Sequence, residues 1–334
     1  MIPIIQPKIL SLITTYRCTA SCYNCCFNCS PTYEKMMSLE EMEDYITICK
    51  EFFPSIEVVV FTGGECTLLK ENLFSAINFA TQKGLTTRIV SNGYWGRNKA
   101  HAKEIIEKLV DNGLSELNIS TGKDHSEYVP ITSVINAVNA AIENGGFKNI
   151  VISVERRDDC PDNGFTHELG LKIHKQNRTR VHIIESPWMN FRERSHNLIS
   201  KQGSQEKGCR NLFSGIQINP NGQLLSCCGL ACEYSPFLKL GKFSKEKLKE
   251  QYCSQFNDVL KLWLYMDGPL KIMKSINGSE DLNICKHDCD FCLDLLTKEN
   301  NIMKLQNITS DEIKTILLRY TIDYKLQHYE KQED

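Results

Sequence analysis

Neither sign of charge predominates in this chain. Lys and Arg number 39 against 41 Asp and Glu, a net charge of −2. That balance argues against nucleic acid or an anionic membrane surface as the main partner. Long hydrophobic runs are missing too. No apolar stretch approaches the roughly 18–20 residues that a membrane-spanning helix requires. The apolar start MIPIIQPKILSLITTYRC has no basic segment before it and no small-residue cleavage site, so it reads as a lead-in and first strand, not a signal peptide. Internal repeats and low-complexity tracts are absent. Hydrophobic residues make up 41% and charged residues 24%, which excludes wholesale disorder. What remains is a cytoplasmic protein of 334 residues, one large domain with a smaller appendage.

The residue in excess is cysteine, 16 in all, bunched at two places. Disulfide scaffolds are usually short secreted chains, and this chain is long enough to bury a core without staples. Adjacent pairs such as Cys25-Cys26 and Cys227-Cys228 make poor disulfide partners. Reduced cysteines that hold metal fit better, with the isolated Cys49, Cys66, Cys160 and Cys253 as packing residues.

The first two hundred residues alternate strand and helix patterns. A strand falls around 11–14, and 38–53 is helical, with Ser38 and Glu41 at capping-box spacing. The run IEVVVFTGG (56–64) is continuously apolar and ends in glycine, as in a strand buried on both faces. Helix, strand and helix follow to about 112, then LNIST (117–121), a helix, NIVISVE (149–155), and a last helix and strand to 185. Repeated βα units imply parallel strands joined by right-handed crossovers. Six units are too few for a closed eight-unit barrel, so the fold class is α/β, a partial, open-sided (β/α)6 barrel. From about 200 the pattern changes. A polar linker leads to a hairpin turning at Asn219-Pro220-Asn221-Gly222, then helices over 243–252 and 256–266. The expected organisation is a barrel over 1–200, a cysteine-bearing domain over 201–295, and a charged, solvated helical tail over 296–334.

Cys18, Cys22 and Cys25 have the spacing CxxxCxxC just after the first strand; Cys22, Cys26 and Cys29 repeat it. Three thiolates on one tight loop can hold three irons of a 4Fe–4S cube, because soft thiolates suit iron–sulfur clusters. The fourth iron is then open, as a catalytic site requires. A zinc knuckle is the alternative.

In this motif the sequence resembles the radical S-adenosylmethionine (SAM) enzymes. The resemblance implies that the open iron chelates the amino and carboxylate groups of SAM. One electron then splits the sulfonium into methionine and a 5′-deoxyadenosyl radical. Thr15-x-x-Cys18 directly after the strand matches the family layout and favours Cys18, Cys22 and Cys25 as ligands. One departure is Asn24, where the family usually has an aromatic residue before the third cysteine; Tyr23 stands one position earlier. Thr62-Gly63-Gly64-Glu65 resembles the family's GGE motif, with Glu65 an acceptor for the SAM amino group. Ser91-Asn92-Gly93 and Ser120 end the next two strands and resemble ribose-contacting positions. Arg156 is placed to reach the SAM carboxylate, or is simply a surface arginine beside Arg157.

The second cluster comprises Cys209, Cys227, Cys228 and Cys232, followed by Cys285, Cys289 and Cys292. Cys209-x12-Gly222-x4-Cys227 resembles the opening of the SPASM/twitch extension, which carries auxiliary 4Fe–4S clusters. Because no cysteine follows Cys292, the resemblance implies one auxiliary cluster held by Cys209, Cys227, Cys289 and Cys292, with Cys285 in reserve. A zinc site using His287 is the alternative.

CCFNCSP, FTGGE, SNGYWG and Cys227-Cys228 together resemble the radical SAM peptide epimerases of epipeptide biosynthesis. That resemblance implies a ribosomally made precursor peptide as substrate, and a flavodoxin or ferredoxin-type protein as electron donor. The 5′-deoxyadenosyl radical would take an α-hydrogen, and Cys228 would return one. Only some ten residues precede the first strand, so peptide recognition is expected in the barrel cleft, in the second domain or by a partner. A cross-linking peptide maturase, and a non-catalytic iron–sulfur or zinc scaffold, are the other classes to separate. Oligomeric state is not legible.

Overall fold

A computed structural model of the chain describes residues 2–156, 165–173, 180–188, 207–278 and 287–329. The chain divides into two compact units. The first comprises Lys8–His196 with Ile218–Gly222. The second comprises Met1–Pro7, Asn197–Gln217 and Gln223–Asp334.

The first unit runs β1 (Ile9–Thr15), α1 (Leu39–Phe52), β2 (Val58–Gly63), α2 (Glu71–Gln82), β3 (Thr86–Ser91), α3 (Lys99–Asp111), β4 (Glu116–Thr121), a one-turn α4 (Lys123–Ser126), α5 (Ile131–Asn144), β5 (Asn149–Arg156), α6 (Phe165–Lys172) and β6 (Val181–Pro187). The strands lie in the order β6-β5-β4-β3-β2-β1, each neighbouring pair parallel. This is the open α/β arrangement expected of six βα units. Strand parity sorts the side chains. In β3 Thr87, Ile89 and Ser91 are buried, and in β4 Leu117, Ile119 and Thr121, while the alternate residues are only partly covered. The capping box is formed: the Glu41 N–H donates to Ser38 Oγ (3.1 Å) and the Ser38 N–H to Glu41 Oε2 (2.8 Å). Cys49 and Cys66 are fully buried packing residues, and Cys160 lies outside the described residues.

Further along the chain, β7 (Gly215–Ile218) and β8 (Gln223–Leu225) flank the Asn219–Gly222 turn. The Gly222 N–H closes that turn on the Asn219 carbonyl (2.8 Å), with Gly222 at φ +68°. β9 (Lys239–Lys242) pairs antiparallel with β8, and α7 (Leu248–Cys253), α8 (Val259–Asn277), α9 (Asp288–Thr297), α10 (Glu299–Gln306) and α11 (Ser310–Tyr329) follow. The helix expected over 243–252 forms only from Leu248. The next extends beyond 266, turning at Gly268 (φ 74°) and resuming at Pro269, whose ring cannot continue the preceding ladder.

The tail is not a solvated appendage. Tyr320 is fully buried, and its hydroxyl donates to the Pro3 carbonyl (2.9 Å). Arg319 grips Asp267 with two nitrogens (2.9 and 2.7 Å). The charged composition of the tail hid the buried Tyr320 and the pairing of Arg319 with the buried Asp267. Among the described residues, no helix is long and apolar enough to cross a membrane.

Candidate functional site

The first cysteine cluster sits on a loop closed at its root by backbone. The Cys18 N–H donates to the Ser30 carbonyl (3.1 Å) and the Ser30 N–H to the Tyr16 carbonyl (3.3 Å). β2 meets that root at the glycine pair. The Gly64 N–H donates to the Thr15 carbonyl (2.7 Å) and the Glu65 N–H to the Arg17 carbonyl (2.9 Å). A Cβ on Gly63, which has φ +130°, would sit 2.3 Å from the Thr15 oxygen; one on Gly64 would sit 2.2 Å from the Arg17 oxygen. The space these glycines leave on that side is taken by the chain's own backbone, which fixes where the cysteine loop starts.

Three sulfurs of the loop each face a nitrogen. Asn92 Nδ2 donates to Cys18 Sγ (3.5 Å), His125 Nδ1 lies 3.6 Å from Cys22 Sγ, and the Cys29 N–H donates to Cys25 Sγ (3.3 Å). Burial, then the charge of Glu65, pushes the Cys18 thiol up to about 12, and burial with the neighbouring cysteines raises Cys22. Cys25 moves the other way, down to about 6, because the Cys29 thiol and the N–H groups of Cys29, Phe27 and Asn28 bond its sulfur. Cys29 is buried beside it and its thiol is raised by that same contact. A pocket of soft sulfurs with hydrogen-bond donors aimed at them suits a cluster, which binds thiolates and displaces their protons. Among the described residues, no three His, Cys, Asp or Glu side chains converge as they would on a single metal ion.

Three residues that the sequence did not single out for the site hold this loop. Asn24 is buried; its backbone N–H (3.2 Å) and its Nδ2 (2.7 Å) both donate to Asp124 Oδ2, and Nδ2 also reaches Glu155 Oε1 (3.3 Å). Glu155 Oε2 accepts the Asp124 N–H (2.9 Å). Burial, then the Asp124 charge, raises the Glu155 carboxyl to about 7. His125 is buried, pushed down to about 4 by that burial, with Nε2 3.5 Å from the Asn92 carbonyl and its ring edge-on to Trp188. Asp124 and His125 share the short α4 turn after β4. The available signal was a run of chemistry-bearing residues, Lys123-Asp124-His125, at the C-terminal end of a barrel strand, where sites of such folds gather.

The strand-end residues divide into two groups. Glu65 is fully buried with both oxygens engaged: Oε1 accepts from Thr67 N (3.1 Å), Thr67 Oγ1 (2.7 Å) and Ser91 Oγ (3.0 Å), and Oε2 from Asn92 N (2.7 Å). Burial raises its carboxyl against those bonds. Ser91 Oγ in turn accepts the Trp95 Nε1–H (3.0 Å). Both residues tie the end of β2 to that of β3. Asn92 links them to the loop through Cys18 and Thr19. Ser120 lies on the opposite parity, partly covered, paired with Ser153 of β5. Arg156 ends β5, and its side chain lies outside the described residues.

The second cluster lines a cavity of about 400 Å³ together with His287. Cys209, Cys227, Cys289 and Cys292 all face it, whereas Cys285 lies outside the described residues. Cys209 Sγ accepts the N–H groups of Asn211 and Leu212, Cys227 that of Gly229, and Cys289 those of Leu230 and Ala231. A Cβ on Gly229 would touch the sulfurs of Cys289 (3.4 Å) and Cys227 (3.6 Å). Burial raises all four thiols, Cys289 to about 12. Four soft sulfurs around an open volume, most with backbone donors, fit a 4Fe–4S cube. His287 Nδ1 accepts the Cys289 N–H (3.1 Å) and so caps α9. Cys228 is exposed, and Ser214 hydrogen-bonds its sulfur. Cys232 is buried away from the cavity lining.

Residues 12–121 match the radical SAM superfamily. A protein of Bacillus subtilis (strain 168), YydG, described as a candidate peptide biosynthesis protein, is 26% identical over 295 residues, covering 83% of this chain and 87% of the relative. Among solved structures, native anSMEcpe with bound AdoMet and the Cp18Cys peptide superposes with a TM-score of 0.56 at 12% identity, covering 97% of this chain and 99% of that one. Native anSMEcpe with bound AdoMet gives 0.55 at 12% identity, covering 96% and 99%. At that identity the likeness is one of fold.

Proposed function

We propose that this chain, which carries a radical SAM domain over residues 12–121, modifies a ribosomally made precursor peptide by inverting an α-carbon from L to D. The observation that carries this reading is Cys228. The residue is exposed, burial of its sulfur raises the thiol and keeps it protonated, and it is joined directly to Cys227, whose sulfur faces the four-cysteine cavity. The likeness to a candidate peptide biosynthesis protein supports a peptide as substrate.

When bound, the cluster and SAM supply a 5′-deoxyadenosyl radical, the group that takes hydrogen from carbon. The chain does the rest. Cys18, Cys22 and Cys25 would hold the cluster that binds SAM. The strand ends bearing Gly63, Gly64, Ser120 and Arg156 border the nucleotide, with Glu65, Ser91 and Asn92 as the bonded support beneath. Cys228 returns hydrogen to the peptide: its S–H bond breaks, a C–H bond forms, and sulfur is left one electron short. One electron and one proton restore the thiol. Cys209, Cys227, Cys289 and Cys292 would hold an auxiliary cluster, which would supply one-electron chemistry there, with a flavodoxin or ferredoxin-type protein as the external donor. Inversion requires hydrogen to arrive on the face opposite the one stripped, a positioning task for the fold.

The test is turnover of the precursor peptide in heavy water. Deuterium at one α-carbon, with no change of mass in ordinary water, is the expected result. Loss of two hydrogens from the peptide would replace epimerisation with cross-linking.

A further inference from the structure

The loop offers two CxxxCxxC registers, Cys18/Cys22/Cys25 and Cys22/Cys26/Cys29, and spacing alone does not choose between them. The structure contains a device that does. Asn24 lies between Cys22 and Cys25 and is buried with two donors on a single oxygen of Asp124, at 3.2 and 2.7 Å. Asp124 is itself fixed from behind: its N–H is held by Glu155 Oε2 at 2.9 Å. Gly122 makes that approach possible, since a Cβ there would lie 2.2 Å from Glu155 Cβ. The next residue of the turn, His125, stands 3.6 Å from Cys22 Sγ. Tyr128 packs against the loop, and Arg97 Nη2 holds its carbonyl at 2.8 Å. One short turn after β4 therefore meets the loop at Asn24 and at Cys22.

We propose that Asp124, acting through Asn24, is the positioning residue that fixes the cysteine loop so that Cys18, Cys22 and Cys25 hold the cluster and Cys22, Cys26 and Cys29 do not. This rests on the proposed reading that the loop binds a 4Fe–4S cluster. Using the second register means bringing Cys22, Cys26 and Cys29 to where Cys18, Cys22 and Cys25 stand. That moves the chain along by four residues, and even one residue is a step of about 3.8 Å. No hydrogen bond survives such a displacement, so the three bonds of Asn24 would be lost. The clamp makes the first register the only one compatible with a fully bonded Asn24. It also gives a physical reason for an amide where the resembling family has an aromatic residue: Nδ2 carries two hydrogens and donates to Asp124 and Glu155 at once, which a ring cannot do.

The experiment is an anaerobic alkylation footprint of the full-length, iron-reconstituted protein, read by mass spectrometry at each cysteine, with iron content measured in parallel. In the wild type, Cys18, Cys22 and Cys25 should be protected and Cys26 labelled. Asp124→Ala should change the ratio of Cys26 to Cys18 labelling by about tenfold or more in favour of Cys18, as expected when hydrogen bonds to a charged group are removed. Asp124→Asn, which keeps an accepting oxygen, should restore the wild-type pattern. Should Asp124→Ala not fold, Asn24→Ala breaks the same clamp from the loop side and carries the same expectation. An unchanged footprint in the folded alanine variant, at unchanged iron content, overturns the inference. A wild-type loop with every cysteine labelled overturns the underlying cluster reading instead.

Discussion

Gly64→Ala adds one methyl group where the chain has no room for it. The new Cβ would lie 2.2 Å from the Arg17 carbonyl oxygen, 2.7 Å from its carbon and 3.0 Å from the Tyr16 carbonyl carbon, all backbone atoms. Ordinary contact begins at 3.4 Å, so the end of β2 and the root of the cysteine loop must part by 3.4 − 2.2 = 1.2 Å. The bonds that join them start at 2.7 and 2.9 Å and would stretch to about 4 Å, past hydrogen-bond range. Each lost backbone bond costs about 1 kcal/mol, and a buried group left unpaired adds about 1–3 kcal/mol. We expect a loss of roughly 3–5 kcal/mol, which for a unit of this size lowers the melting temperature by about 10 °C. The assay is thermal unfolding of the apo protein followed by circular dichroism. Gly84→Ala is the control: φ there is +75° but nothing lies within 4 Å of an added Cβ, so only the left-handed strain of about 1–2 kcal/mol applies. Gly64→Ala should also take up less iron at the first cluster, because the loop root moves. The reasoning fails if Gly64→Ala melts no lower than the control and loads iron like the wild type.

Glu155 is raised to about 7, above its unfolded value, so the native state binds a proton the unfolded chain has released. Its contribution to stability is present below about pH 4.5 and is lost as pH rises through about 7. Glu155→Gln should therefore flatten the fall in stability of the apo protein between pH 5 and 8 and leave it more stable at pH 8; a variant with the wild-type slope would contradict this. Arg319→Ala leaves Asp267 without its two Arg319 bonds. Arg319 is itself partly exposed, so the loss should be about 1–2 kcal/mol at neutral pH, read by urea unfolding. Arg319 and Lys271 hold Asp267 down at about 2, so the difference between variant and wild type should shrink as pH falls from 4 toward 2. Cys228→Ala should keep its iron and still cleave SAM, while its yield of D-residue falls at least about a hundredfold; an unchanged yield removes Cys228 as the hydrogen donor.

Much of the first unit was legible because local rules agree with one another there. Ser38 and Glu41 mark a helix start, the apolar run 56–64 marks a doubly covered strand, and two cysteine groups announce soft-metal chemistry. Three things were not legible. The partner of Asn24 lies 100 positions away, and no spacing rule joins a loop amide to a carboxylate on the turn after β4. The close backbone packing of the glycine pair on Thr15 and Arg17 could not be read from the motif, because those partners lie about 50 positions earlier in the chain. The third is the bonding of Ser91. Parity with the buried Ile89 in β3 puts Ser91 on the covered face, but its partners Glu65 and Trp95 follow only from the fold. The tail misled for a different reason: it reads as solvated charge, and only the fold pairs its Arg319 with Asp267 of α8.

The most direct measurement is SAM cleavage by the anaerobically reconstituted, dithionite-reduced protein, with electron paramagnetic resonance recorded before and after SAM is added. The wild type should release methionine and 5′-deoxyadenosine in equal amounts, and SAM should shift the spectrum of one cluster. Cys18→Ala/Cys22→Ala/Cys25→Ala should do neither. An iron-loaded wild type that leaves SAM intact, with its first cluster closed by a fourth side chain such as Cys29, would contradict the account.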